Sequence, residues 1–526
     1  MTRSLTQTER SVVDDPPADS RNGGDPVRLA MLGSMALVAL QLARFANPAH
    51  AVDDAWISFR VARSALDTGV LTYDTTQPPV EGMTNLLWTV LAMSWVHLPV
   101  DPIVPARVLG ALCHLATVGI LVGLSARVAR TAGGSPIVAA GVTGLLLASS
   151  GSMAFYALSG LETPLYGLWY AAAAAALYAG NPKTVGVLLG LAAATRPEGV
   201  LAGGMVIAAL AASGGRARIG VAAAVAVPFA AIVAGMEAFR LYTYGALVPN
   251  TFYAKPPDVE QGLAYVGAGL LWGTGGLGLL GALPAARRFV AARYVLAGIG
   301  VLALGVVWSG GDWMPGERRL VELLLAGATL AGISAGISAG TARARVWVAV
   351  AAASWVLANL GAAIAGQDGA EYEHAYLAEL GVAAAETPGV ETVALSDIGR
   401  FGWAFPGSVL DLSGLVDRHI AHQSGRRSEK AWDEAYFRKR APDLVLVRCA
   451  SAITDPLRVM PKLALGEVPV VTSMLTNGGY RYHGQLSLSE GHWMLVFGRD
   501  GLALAPALWG PAFPRDLRDV LSEAAR

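Results

Sequence analysis

Two adjacent carboxylates, Asp53 and Asp54, stand eight residues beyond the first long apolar run of the chain, in the stretch Ala-Val-Asp-Asp-Ala-Trp-Ile-Ser-Phe-Arg (51–60). An acid pair directly after a membrane helix lies where lipid-borne substrates present their head groups. One carboxylate there can act as a general base and take the proton of an attacking hydroxyl, while the other orients it or the acceptor. Side by side, like charges also raise one pKa toward the working range. The pair would equally serve as an N-cap and a solvated acid before a helix over 55–66. Which of the two is the base stays open at this stage.

Six further polar sites could share that chemistry. Arg60 and Arg63 fall on one helical face, where they either reach toward lipid head groups or hold a donor phosphate. Glu81 follows a Pro-Pro turn, and Glu162 precedes Pro164 at a helix start, a position that also suits a capping acid. Arg196 and Glu198 flank Pro197 between two short apolar runs, where charge is costly and usually functional. The stretch 242–255 brings aromatics together with Asn250 and Lys255, and 310–319 brings Asp312, Arg318 and Arg319. Arginine offers a fork matched to phosphate. Sugar transfer from a lipid phosphate fits such a set: it needs a base and fixed cations, but no strong acid, because phosphate leaves unprotonated. The pool for the phosphate is Arg196, Lys255, Arg318, Arg319 and Arg60. Glu81, Glu162, Glu198, Asn250 and Asp312 are the pool for sugar and acceptor.

These residues are embedded in a chain of 526 residues that is 54% hydrophobic and 15% charged. A soluble domain carries about 25% charge. Alanine and glycine are heavily used, as where membrane helices pack closely. The sequence therefore predicts a multi-span α-helical membrane protein. A net charge of zero gives no case for nucleic acid. There is no P-loop, dinucleotide glycine fingerprint or His/Cys zinc spacing. Cys113 and Cys449 are not expected to meet. No metal is demanded, although Asp53 with Glu198 or Asp312 could hold a divalent ion.

Apolar runs fall near 29–45, 85–98, 106–126, 136–150, 164–180, 184–195, 199–212, 219–239, 262–283, 294–309, 320–340 and 346–366. Basic clusters at 127/130, 183, 216/218, 287/288/293 and 343/345 favour the cytoplasm. All five fall inside only if one early run fails to cross. The segment 85–98 is short for a span of about 20 residues, and its Trp88 and Trp95 suit an interface. About eleven transmembrane helices plus juxtamembrane helices are expected, with every unusual polar loop on the outer side. Residues 1–26 read as a disordered cytoplasmic tail, and 27–366 as the membrane domain.

From 367 to 526 the composition changes. β-prone runs at 391–397, 408–411, 443–448, 469–472 and 492–497 alternate with helical stretches at 371–386 and 428–440, which predicts an extracytoplasmic α/β domain that binds acceptor. Asp397, Asp411 and Asp417 could line a sugar cleft there or form turns. His374, His419, His422 and His492 are scattered.

The ordered motifs Asp-Asp-Ala-Trp-Ile-Ser-Phe-Arg, Val-Glu-Gly-Met-Thr-Asn, Thr-Arg-Pro-Glu-Gly, Leu-Val-Pro-Asn-Thr-Phe-Tyr-Ala-Lys and Gly-Gly-Asp-Trp-Met resemble the GT-C superfamily of polyprenyl-phosphate-sugar glycosyltransferases. Within it the chain is similar to the terminal β-(1→2) arabinofuranosyltransferases of mycobacterial cell walls, over about 50–420. It departs from their pattern in Ala-Trp-Ile after the acid pair and in Gly-Met-Thr-Asn after Val-Glu. The resemblance implies a bacterial plasma-membrane enzyme with its active site on the extracytoplasmic face. It implies a catalytic acid at Asp53 or Asp54 and a donor such as decaprenyl-phosphoryl arabinofuranose. It also implies a groove for the lipid and a glycan or other hydroxyl acceptor. The rival readings are a transporter or flippase, which would place charges near the bilayer midplane in repeated halves, and a membrane sensor with an outer ligand-binding domain.

Overall fold

A computed structural model describes residues 24–314, 316, 318–338, 342–366, 369, 375–425, 430–449, 468–489 and 492–504. The tail expected over 1–26 falls outside these residues up to 23, and so does His374.

Each of the eleven apolar runs expected to cross carries a helix. Among the described residues, six stretches are long and apolar enough to cross a membrane: Pro26–Arg44, Ile103–Thr131, Arg216–Tyr244, Val290–Trp308, Arg318–Ile337 and Ala342–Ile364. Two bent pairs make eight: Pro136–Ser149 with Gly151–Leu158, bent by 62°, and Val259–Thr274 with Gly278–Arg288, bent by 66°. Helices Thr163–Tyr178, Pro182–Thr195 and Glu198–Ala212 are shorter. The expected count of about eleven full spans is therefore met by six to eight. Backbone breaks explain the difference. Gly275 and Gly276 both take positive φ between the second bent pair, and Pro197 stands where Pro182–Thr195 ends and Glu198–Ala212 begins.

Segment 85–98 holds one short helix, Leu86–Ala92, as its length suggested. Its tryptophans are buried within the protein. Trp88 is fully buried, packs edge-on to Trp95 at 5.8 Å and donates from Nε1 to the Gly160 carbonyl at 3.1 Å. An indole buried with its N–H satisfied adds apolar burial without a polar penalty.

The C-terminal portion is an α/β domain around one five-stranded sheet. Its strands are β1 (Thr392–Leu395), β2 (Ser408–Asp411), β3 (Leu444–Cys449), β4 (Tyr480–Ser489) and β5 (His492–Arg499), in the order β2-β1-β3-β5-β4. β2, β1 and β3 are parallel, and β5 runs antiparallel to β3 and β4. Four predicted strands are present. The fifth, 469–472, is instead part of helix Val468–Asn477. Its β-branched run suggested a strand, but Pro469 fits the first turn of a helix. β4 was missed, because its alternation is interrupted by polar residues and it is stabilised by pairing to β5.

One face of the sheet, through Val393, Leu395, Leu444 and Leu446, packs into the same core as Ile57 and Val61 of helix Asp54–Thr68. The opposite face, through Leu410, Val445, Leu495 and Phe497, packs against Val470, Val471 and Met474. Residues immediately after the first membrane helix thus share a core with a domain more than 300 positions later in the chain.

Candidate functional site

The motifs converge on a cavity of about 980 Å³ between the membrane helices and the α/β domain. Asp54, Glu162, Arg196, Glu198 and Lys255 line it, together with Asp312, Arg318 and Arg319. Asp53, Arg60, Glu81 and Asn250 do not line it. The twelve sequence candidates therefore divide into two groups with different partners.

Helix Asp54–Thr68 begins between the two acids. Successive residues entering a helix point about 100° apart, so the carboxylates face different surroundings. Asp54 faces the cavity and, among the described residues, makes no side-chain hydrogen bond. Asp53 is 6% exposed and accepts from two backbone N–H groups, Gly399 to Oδ2 and Arg400 to Oδ1, both at 2.8 Å. Burial, with Asp397 and Asp54 nearby, pushes the Asp53 carboxyl up to about 7, although the two N–H donors oppose the shift. Asp53 is thus a cap for the short helix Gly399–Ala404, reached from the other end of the chain.

Arg60 is likewise a tether. It is buried and donates to the carbonyls of Tyr73, Gly402, Phe405 and Gly407 at 2.7–3.0 Å. All four of these partners are backbone carbonyls, and Arg60 is not among the residues that line the cavity. Arg63 donates to the Trp403 carbonyl and lies 4.0 Å from that indole's centroid. Asn250 holds the carbonyls of Gly414 and Leu415 at 2.9 and 3.0 Å. Glu81 forms a pair with Arg240 at 2.5 Å, and it is Arg240 that lines the cavity. The docking surface leaves little room: a Cβ on Gly402 would stand 1.7 Å from the Tyr73 hydroxyl oxygen and 2.8 Å from Arg60 Nη1.

Within the cavity a polar chain runs from Ser58 to Arg319. Ser58 Oγ donates to Asn85 Oδ1 at 3.0 Å, and Asn85 Nδ2 donates to Glu162 at 2.9 Å. Arg196 pairs with Glu162 at 3.2 Å and Glu198 at 3.3 Å, and Glu198 pairs with Arg319 at 3.0 Å. Arg318 pairs with Asp312. Burial raises the Asp312 carboxyl, but Arg318 and Lys255 outweigh it and hold it at about 2. Buried charges of this kind persist when paired, and these pairs fix each guanidinium before any ligand arrives.

Sequence reasoning missed Ser58, Asn85, Arg240 and Glu322, and it gave Arg448 no role; all five line the cavity. Asn85 stood inside a quoted motif, which was the available signal. Among the described residues no three His, Cys, Asp or Glu side chains gather to hold a metal ion. Asp411 and Asp417 act inside the α/β domain: Asp411 accepts from the N–H groups of Ser413 and Val416, and Asp417 pairs with Arg440 at 2.9 Å. Asp397 does reach the cavity. Cys113 and Cys449 are not joined in a disulfide.

A bundle of long and broken apolar helices, with a polar cavity covered by a C-terminal α/β domain, is a GT-C type of membrane fold. The solved structures that share it include ArnT from Cupriavidus metallidurans bound to undecaprenyl phosphate, with a TM-score of 0.55 at 14% identity over 92% of this chain and 99% of that one. ArnT in the apo state aligns over the same shares with a TM-score of 0.51, also at 14% identity. At this identity the likeness is one of fold. No curated protein matches by sequence. Residues 362–497 match a family described as Domain of unknown function (DUF8728).

Proposed function

We propose that this chain is an integral-membrane glycosyltransferase that moves a sugar from a polyprenyl phosphate to a hydroxyl acceptor on the extracytoplasmic face of a bacterial plasma membrane. The observation that carries the proposal is Asp54: a carboxylate that makes no side-chain hydrogen bond among the described residues, facing a cavity whose other walls hold fixed guanidinium groups. Asp54 takes the acceptor's hydroxyl proton as its oxygen attacks the anomeric carbon. The bond from that carbon to the phosphate oxygen breaks, and polyprenyl phosphate leaves with the electron pair. The departing oxygen gains negative charge, which Arg318, Arg196, Arg319 and Lys255 stabilise without reorganising. Leu201, Phe252, Leu302 and Val306 form an apolar wall of the same cavity, suited to the prenyl chain. Undecaprenyl phosphate bound to ArnT, a protein of the same fold, supports a donor of this class. Arabinofuranose is the favoured sugar, on the motif resemblance, and the step requires no metal.

The test is to incubate the purified protein with a panel of polyprenyl-phosphate sugars and neutral oligosaccharides as hydroxyl acceptors, and to quantify released polyprenyl phosphate by mass spectrometry. Asp54→Asn is expected to lower transfer by about 10²–10⁴-fold, the usual worth of a general base, with an unchanged melting temperature. Full activity in that variant would overturn the mechanism, and lipid translocation without sugar release would favour a flippase.

A further inference from the structure

The three parallel strands of the α/β domain all end at the cavity. Ser396 and Asp397 directly follow β1, Leu412 and Ser413 directly follow β2, and Arg448 is the penultimate residue of β3. All five line the cavity shared with Asp54. In open α/β sheets, ligands bind in the crevice outside the carboxyl ends of the strands. Here that crevice opens toward the membrane site rather than toward bulk solvent.

We infer that this strand-end shelf, built by Ser396, Asp397, Ser413 and Arg448, binds a neutral polyhydroxyl glycan and presents it to Asp54. The inference rests on the transfer reaction proposed above and assigns the acceptor's class and seat.

The chemistry of the shelf favours hydroxyls over charge. Arg448 Nη1 lies 3.3 Å from Asp397 Oδ1, so the two charges compensate. Their side chains are 45% and 23% exposed. A carboxylate accepts and a guanidinium donates, which suits the paired hydroxyls of a sugar ring. The two serines add groups that do both. An anionic acceptor would meet Asp397, and a purely apolar one would find few contacts here.

The shelf is also held at a defined place. Asp53 grips the N–H groups of Gly399 and Arg400, two and three residues past Asp397. Asn250 grips the Gly414 and Leu415 carbonyls, next to Ser413. Asp411 accepts from the Ser413 N–H at 2.8 Å and sets that turn. The paired acids thereby divide the work, Asp53 fixing the acceptor shelf and Asp54, its neighbour in the chain, acting on what the shelf holds.

The experiment measures equilibrium binding to the full chain in detergent, so no turnover is needed. The probes are fluorescently labelled neutral oligosaccharides (arabinan- and glucan-derived), an oligogalacturonate as the anionic counterpart, and undecaprenyl phosphate. Asp397→Asn and Arg448→Met are expected to weaken binding of at least one neutral oligosaccharide more than tenfold. Both should change undecaprenyl phosphate affinity less than twofold and leave the melting temperature unaltered, and Arg448→Lys should restore part of the glycan affinity. Wild-type affinity in both variants, binding of the anionic glycan alone, or no glycan binding by the wild type would each overturn the shelf. Failure of the parent reading looks different: no sugar release from any donor and no effect of Asp54→Asn, whatever the glycan titrations show.

Discussion

Replacing Arg60 by methionine tests whether this buried arginine of helix Asp54–Thr68 is a tether or a phosphate ligand. Methionine keeps most of the apolar stem and removes the guanidinium. Four carbonyls, those of Tyr73, Gly402, Phe405 and Gly407, then lose donors at 2.7–3.0 Å, and the cation above the Tyr73 ring, 4.2 Å from its centroid, is gone. A hydrogen bond from a charged donor contributes about 1.5–3 kcal/mol. The four do not add independently, and removing the arginine also removes its own desolvation cost. A net loss of about 4 kcal/mol is expected, at the upper end for one substitution. At 1.4 kcal/mol per factor of ten, the closed-to-open ratio of the docked domain drops about a thousandfold. Hydrogen exchange reads this directly, because amides of helix Gly399–Ala404 should exchange about a thousandfold faster while undecaprenyl phosphate affinity shifts less than twofold. Unchanged exchange together with lost lipid binding would refute the tether and return Arg60 to the phosphate pool.

Further outcomes follow from the same geometry. Asp53 and Asp411, both raised to about 7 by burial first of all, lie above the ordinary aspartate value of about 3.9. A folded pKa above the unfolded one gives stability that is complete below about pH 4 and is lost as pH rises through about 7. The wild-type apparent melting temperature should fall across that window, and Asp53→Asn should make the fall shallower by removing the Asp53 part; an unchanged slope would contradict the assignment. Arg318→Met should lower release of polyprenyl phosphate about 10²–10³-fold through loss of charge stabilisation, whereas retention of more than half the rate would remove Arg318 from that role. Gly402→Ala should loosen the docked domain, since its Cβ would stand 1.7 Å from the Tyr73 hydroxyl oxygen; an unaltered proteolysis pattern in the α/β domain would show that the contact gives way cheaply.

Much of the architecture was legible in the residues. Long apolar runs can only be satisfied as helices in lipid, so eleven runs gave eleven helical regions, and the shift to β-branched clusters after 391 located four of the five strands. Residues of the right type at a helix break, such as Arg196 and Glu198 around Pro197, were also readable, since charge there has no packing explanation. The division within the acid pair was not. Asp53 and Asp54 are chemically identical neighbours, and only the point at which the helix starts turns one toward the Gly399 and Arg400 amides and the other toward the cavity. Arg60 and Asn250 looked like ligand-binding groups because a polar residue in a motif shows its type and not its partner. Apart from the nearby Tyr73 carbonyl held by Arg60, their side-chain partners are carbonyls more than 160 positions away, supplied by a domain whose docking no local pattern encodes. In the same way Arg448 meets Asp397 because β1 and β3 pair in parallel and end together at the cavity. Periodicity is a property of neighbouring residues and survives in the sequence, whereas the pairing of distant charges depends on how the chain closes on itself and exists only in three dimensions.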